Sequence, residues 1–444
     1  MQRKRWFAAI AALAAAVSTL GVPARATAGP PPAGVCNNPA KPGDVVKDTP
    51  WPQQAFGAQR IWPTTTGAGI TVAVVDSGVD NAHPQLAGQV LPGFDFLRNA
   101  AGADFDCTSH GTAVASLIAA KHVNGVGFEG LAQGVKILPI RVSDHEEGTN
   151  GEAVTPDVFA KAIRYAADQN ARIINISLSL DADYPVVAQA VDYAINTKGC
   201  LVVAAVGNHH VTAQQSPPSI GSAKNPIPSD PASYPAGYPG VLGVAAVNQD
   251  GTRVDESQVG PYVDIAAPGN LVLGATRVSG HQYWKGTSFA APIVSGAAAL
   301  VWASQPNLKN SDVSWRLQVT ADRMAGAGRS NEFGYGMVDP YRAVFERPSK
   351  DEAVSPTPIP PAATDPAAAA RLSRWQTAGR IALIAGLAVL LAALVIFALR
   401  AAVRRGRVRA WRPGEVREAP RPQRDPDIEP EDVFFALPNR SRTD

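Results

Sequence analysis

Short apolar runs rich in β-branched residues, at 70–75, 137–142, 172–177 and 201–206, alternate with longer alanine-rich stretches at 110–120, 155–169, 184–197 and 289–304. A strand buried on both faces reads as a continuous apolar run, whereas one with a wet face alternates residue by residue. The pattern therefore specifies an α/β domain, in which a mainly parallel sheet is covered on both sides by the helices that connect its strands. Only residues 58–346 of the 444 have this mixed texture, so one large domain with appendages is expected.

The appendages have distinct compositions. Arg3, Lys4 and Arg5 precede an apolar run at 6–22 and the small residues Ala24, Ala26 and Ala28, the order of a signal peptide, placed at 1–26. Residues 27–57 are Pro-rich, lack helix or strand periodicity, and are expected to wrap the domain as an extended arm too short for a core of its own. A Pro/Ala-rich linker follows the body at 347–379. The 19 residues 381–399 carry no charge and are bracketed by Arg380 and Arg400, so a transmembrane helix is expected over 380–400. Arg400, Arg404, Arg405, Arg407, Arg409, Arg412 and Arg417 outnumber Arg371, Arg374 and Arg380 on the other side. The positive-inside rule then puts the 401–444 tail in the cytoplasm and the body outside.

Composition excludes several functions. With 40 basic and 38 acidic side chains the net charge is +2, so no general field attracts nucleic acid. Cys36, Cys107 and Cys200 lack the paired spacing of a zinc site, and no calcium-loop pattern is present; neither metal nor cofactor is expected. Export makes one disulfide permissible. Cys200 opens an apolar strand and should be buried, whereas Cys107 lies just before His110, so the expected pair is Cys36–Cys107.

In parallel sheets ligands gather beyond the carboxyl ends of the strands, and polar residues there are the first to inspect. Asp76 ends one apolar run and opens Asp-Ser-Gly-Val-Asp, where Gly78 permits an abrupt turn. His110 stands in Ser-His-Gly-Thr-Ala, with Gly111 giving clearance beside the imidazole. Ser288 lies in Gly-Thr-Ser-Phe-Ala-Ala-Pro at the start of an apolar helix, whose first backbone N–H groups suit developing negative charge. Asn208 closes Val-Gly-Asn after another apolar run and offers an amide donor to the same charge. Together these four types form the constellation of acyl transfer to a serine nucleophile.

These motifs, in the order Asp, His, Ser, resemble the subtilase family over about residues 58–345. Asn175-Ile-Ser-Leu, Tyr234-Pro-Ala-Gly-Tyr-Pro, the 259–269 segment and Gly334-Tyr-Gly-Met-Val-Asp resemble that family's cleft and final helices. The resemblance implies a subtilisin-like three-layer domain and a serine endopeptidase, with Asp76, His110 and Ser288 catalytic, Asn208 in the oxyanion hole, and Ser177, Leu178 and Ser179 on the peptide-binding strand. Ser179 and Leu180 replace glycines common in the family, which implies a narrower groove. A Pro-rich segment at 209–233 is longer than usual and is an expected docking surface. The whole layout resembles the mycosins, actinobacterial subtilases. That implies protein substrates, a single-pass membrane anchor and a type VII secretion membrane complex as partner. The alternative role is chiefly structural, stabilising that complex.

Overall fold

The computed structural model describes residues 35–144 (except 37), 154–210, 229–324, 328–349 and 395–408 (except 397). The expected signal peptide, most of the linker and of the membrane helix, residues 211–228 of the proposed docking segment and the tail from 409 lie outside these. Residues 398–408 are helical and belong to a second unit, Pro358–Asp444, separate from the first, Met1–Thr357.

The first unit is built on the expected sheet. After a short helix α1 (Trp51–Phe56) come β1 (Thr71–Asp76), β2 (Phe94–Asp95), β3 (Ala100–Ala101), α2 (His110–Ala119), β4 (Lys136–Arg141), α3 (Pro156–Asp168), β5 (Ile173–Ile176), α4 (Pro185–Asp192) and β6 (Leu201–Ala205). Then follow β7 (Leu242–Val247), β8 (Ile265–Pro268), a hairpin of β9 (Asn270–Ala275) and β10 (His281–Lys285), α5 (Thr287–Ser304), α6 (Asn310–Val319) and α7 (Pro340–Phe345). Eight strands pair in the order β3-β2-β4-β1-β5-β6-β7-β8, all parallel except β3 on β2.

Side chains of β1 divide between two cores by the two-residue period of a strand. Val72 and Val74 join the core beneath α2 and α5; Ala73 and Val75 join the one beneath α3 and α4. Continuous apolarity in the sequence thus reports helices on both faces. Among the described residues, the only helix of 18 residues or more that is apolar enough to cross a membrane is α5, and it is the buried central helix of the domain.

Residues of the arm bond to the body at several points. Ala40 N–H donates to the Cys107 carbonyl, Gly43 N–H to Ser279, and Asp44 pairs with His281. The indole of Trp51 donates to Asn270. Cys36 and Cys107 are joined across a sequence separation of 71, and Cys200 is a buried free thiol whose ionisation burial pushes up to about 11.

Candidate active site

Asp76 is the last residue of β1, and His110 the first of α2, so both side chains lie at the carboxyl edge of the sheet. The His110 Nδ1 to Asp76 Oδ1 distance is 2.7 Å, and Ser77 N–H donates to the same oxygen at 2.7 Å. Gly111 makes this approach possible: a Cβ there would lie 2.1 Å from the Gly78 carbonyl oxygen. Both side chains are buried, which strengthens the bond between them.

The first turn of α2 is held by a residue that motif reading passed over. Asp106 Oδ1 accepts from Ser77 Oγ, Thr108 N–H and Ser109 N–H, and its Oδ2 accepts from Thr112 N–H and Thr112 Oγ. Ser77 Oγ in turn accepts from Gly111 N–H at 2.9 Å. Burial pushes the Asp106 carboxyl above the usual range, against the pull of its Thr112 and Thr108 donors. A fully bonded acceptor at a helix N-terminus supplies the unpaired N–H groups, and here it fixes the turn carrying His110.

Ser288 is the second residue of α5, whose N-cap is Gly286. Its position depends on a proline. Pro292 lies inside the helix and cannot donate to the carbonyl four residues back, which is that of Ser288. Ser177 Oγ supplies the missing donor at 2.7 Å. That hydroxyl accepts from Asn175 Nδ2 at 3.0 Å, and Asn175 Oδ1 accepts from Ser295 Oγ at 2.8 Å. The end of β5 is therefore bolted to the first and third turns of α5.

Asn208, just past β6, has its carboxamide oriented by the same helix. Its Oδ1 accepts from Thr287 N–H at 2.9 Å and Thr287 Oγ at 3.1 Å, which assigns the oxygen and turns the NH2 group the other way. An amide donor and the first N–H groups of α5 thus flank the Ser288 segment, an arrangement able to hold an oxyanion. Phe289, the next residue, packs on His110 with ring centroids 5.1 Å apart. The structure so gathers Asp76, His110, Asn208 and Ser288 at one edge.

Ser177, Leu178 and Ser179 follow β5 at that same edge. Ser177 is fully buried, its hydroxyl engaged with Ser288, while Leu178 and Ser179 are half-buried. Leu180 pairs in antiparallel fashion with Tyr234 through both backbone bonds, at 2.7 and 2.9 Å. Its backbone is thereby occupied. The long segment after Asn208 is pinned at its roots, where His210 Nδ1 meets Asp230 Oδ2 at 2.7 Å and Asp230 accepts from Val259 N–H. Among the described residues no group of three or more His, Cys, Asp or Glu side chains could hold a metal ion.

Comparison with known proteins gives this geometry a setting. The sequence model of the subtilase family matches residues 67–336. A thermophilic serine proteinase of Bacillus sp. (strain AK1) is 36% identical over 306 residues, covering 67% of this chain and 68% of its own. Mycosin-1 of Mycolicibacterium smegmatis is 33% identical over 348 residues, covering 70% and 76% respectively. A solved structure of the serine protease MycP1, described as an essential component of the type VII (ESX-1) secretion system, superposes with a TM-score of 0.59 at 33% identity, covering 69% of this chain and 92% of that one.

Proposed function

We propose that this chain, which belongs to the subtilase family of serine endopeptidases, cleaves peptide bonds through an acyl-enzyme on Ser288, with His110 as proton shuttle and Asp76 as its support. The observation that carries the assignment is the 2.7 Å bond from Asp76 to His110 at the sheet edge where α5 presents Ser288. In this reading Asp76 holds the proton on Nδ1, and the other ring nitrogen takes the Ser288 hydroxyl proton as the oxygen attacks the scissile carbonyl. Negative charge on the carbonyl oxygen meets the Asn208 NH2 group and the Ser288 N–H. The imidazolium then gives its proton to the departing amine. Water, activated by the same imidazole, releases the acyl group.

A fluorophosphonate probe tests this directly: it should label Ser288 in the parent protein, and Ser288→Ala should abolish both labelling and peptide cleavage. A folded Ser288→Ala protein that still cleaves at the parental rate would remove the assignment.

The setting proposed for this chemistry is the outer side of a membrane, within a type VII secretion complex acting on protein substrates. Support comes from the uncharged 381–399 run with its Arg-rich C-terminal flank, and from similarity to mycosin-1 and MycP1. The 36% identity to a thermophilic serine proteinase shows that the catalytic body alone does not specify this setting. The appendages carry that part of the reading. Protease protection of the body in sealed right-side-out vesicles would contradict it.

A further inference from the structure

The imidazole of His110 has aromatic neighbours that the reaction scheme leaves without a role. Trp284, on β10, lies 6.2 Å away centroid to centroid at 86°, and Phe289, on α5, lies 5.1 Å away at 60°. The two rings also stack on each other at 5.0 Å and 27°. All three are buried. The indole is seated over Gly274 of β9: a Cβ at that glycine would lie 3.1 Å from Trp284 Cδ1 and 2.8 Å from Ala113 Cβ on α2. The hairpin, α2 and α5 thus share one aromatic corner with His110.

We infer that Trp284, backed by Phe289, is a positioning residue for the proton shuttle: it holds the imidazole on Asp76 and favours its protonated state during acyl transfer. Two physical effects act together. Steeply inclined rings at 5–6 Å are a favoured aromatic arrangement and restrict the imidazole to one rotamer. An aromatic ring that turns its face to a cation within about 6 Å stabilises the charge by about 0.5–2 kcal/mol; Phe289 stands inside that distance and Trp284 at its limit, and the charge exists on His110 only after it has taken the Ser288 proton. The charged groups on the neighbouring elements are Asp76 from β1, bonded to the ring, Asp106 from the loop before α2, which interacts with Asp76, and Lys285, next to Trp284 in β10 and paired with Glu256. None of them changes in the variants below.

The inference rests on His110 being the base for Ser288, so the experiment reads the two separately. Fluorophosphonate labelling of Ser288 in the parent protein reports the assignment itself. On the parent and on Trp284→Leu, Trp284→Phe and Gly274→Ala, kcat, KM and the pH profile of kcat/KM are measured with one peptide, and folding is checked by thermal melts. Trp284→Leu should lower kcat about 2- to 30-fold with KM little changed, the range that 0.5–2 kcal/mol converts to. The acid limb of its profile should move to lower pH by a few tenths to about one unit, because the imidazolium has lost its stabilising neighbour. Trp284→Phe should recover most of both. Gly274→Ala, whose Cβ would press on the indole and on Ala113 of the helix that carries His110, should move kcat in the same direction. Parental kcat in Trp284→Leu, or a loss with the acid limb unmoved or not recovered by Trp284→Phe, would overturn the inference while leaving Ser288 assigned. Absence of Ser288 labelling in the parent would overturn both.

Discussion

The bolt between β5 and α5 predicts a specific non-additivity. Ser177→Ala removes the hydroxyl that donates to the Ser288 carbonyl and accepts from Asn175 Nδ2, and both partners lie in fully buried surroundings. A buried polar group left without a partner costs about 1–3 kcal/mol, so the substitution should destabilise the domain by about 2–4 kcal/mol. Half of that penalty exists only because Pro292 has no N–H to offer. In a Pro292→Ala background the helix can supply its own donor to the Ser288 carbonyl, and Ser177→Ala should then cost about 1–2 kcal/mol less. Asn175 Nδ2 remains orphaned in both backgrounds, which accounts for the rest.

The assay is a double-mutant cycle in urea, run on the Ser288→Ala protein so that self-digestion cannot distort the curves. Ser288→Ala keeps the backbone carbonyl that the argument concerns. Kinetics of the active Ser177→Ala protein should show a lower kcat, since the turn presenting Ser288 has lost its anchor. Equal penalties for Ser177→Ala with Pro292 present and with Pro292→Ala, within about 0.5 kcal/mol, would refute the account of the hydroxyl as a substitute helix donor.

Other outcomes follow from the same structure. Burial lowers the ionisation of His83 and pushes that of His281 down to about 4, so the unfolded chain binds protons first as pH falls through about 6.5. Stability is full above that pH and is lost progressively down to about pH 4; thermal melts across this window should show the loss, and His281→Gln should flatten it. Breaking the Cys36–Cys107 bond, which closes a loop with a sequence separation of 71, should cost about 4 kcal/mol by the chain-entropy argument, read by melts with and without reductant. Asn208→Ala should lower kcat by about 10² to 10³ with little change in KM, measured on a peptide substrate. In the cell, Ser288→Ala and full deletion should give the same secretion defect if proteolysis is the required activity; full secretion with Ser288→Ala would instead favour the structural role.

What the sequence made legible at the site is what short-range sterics demand. Gly111 must be glycine because a neighbouring carbonyl occupies the space of its Cβ, and that necessity is written beside His110 as a recognisable motif. The same holds for Gly78 beside Asp76, whose Cβ would lie 2.1 Å from the Phe105 carbonyl oxygen. The fold was legible where burial on both faces makes β1, β4, β5 and β6 continuous apolar runs. β7 and β8 were missed because Leu-Gly-Val-Ala-Ala-Val and Ile-Ala-Ala-Pro carry little β-branched bulk. Their small residues have a use that only the folded chain reveals: a Cβ on Gly243 would meet the Tyr262 carbonyl oxygen at 2.1 Å.

Contacts that join distant segments left no local trace. Ser177, which the family resemblance implies lies on the peptide-binding strand, uses its hydroxyl on a carbonyl 111 residues away. Asp106 reads as an ordinary loop acid and is the cap that fixes the His110 turn. Trp284 belongs to none of the motifs read from the sequence, and its imidazole partner is 174 positions earlier in the chain. Spacing rules describe faces of single elements, whereas these contacts depend on how the hairpin and α5 are laid over α2. The chemistry therefore shows in the motif residues, and the means of holding that chemistry in register shows only in the fold. Substitutions at Ser177, Asp106 and Trp284 should for this reason perturb rate and stability together, while substitutions at Ser288 should remove rate alone.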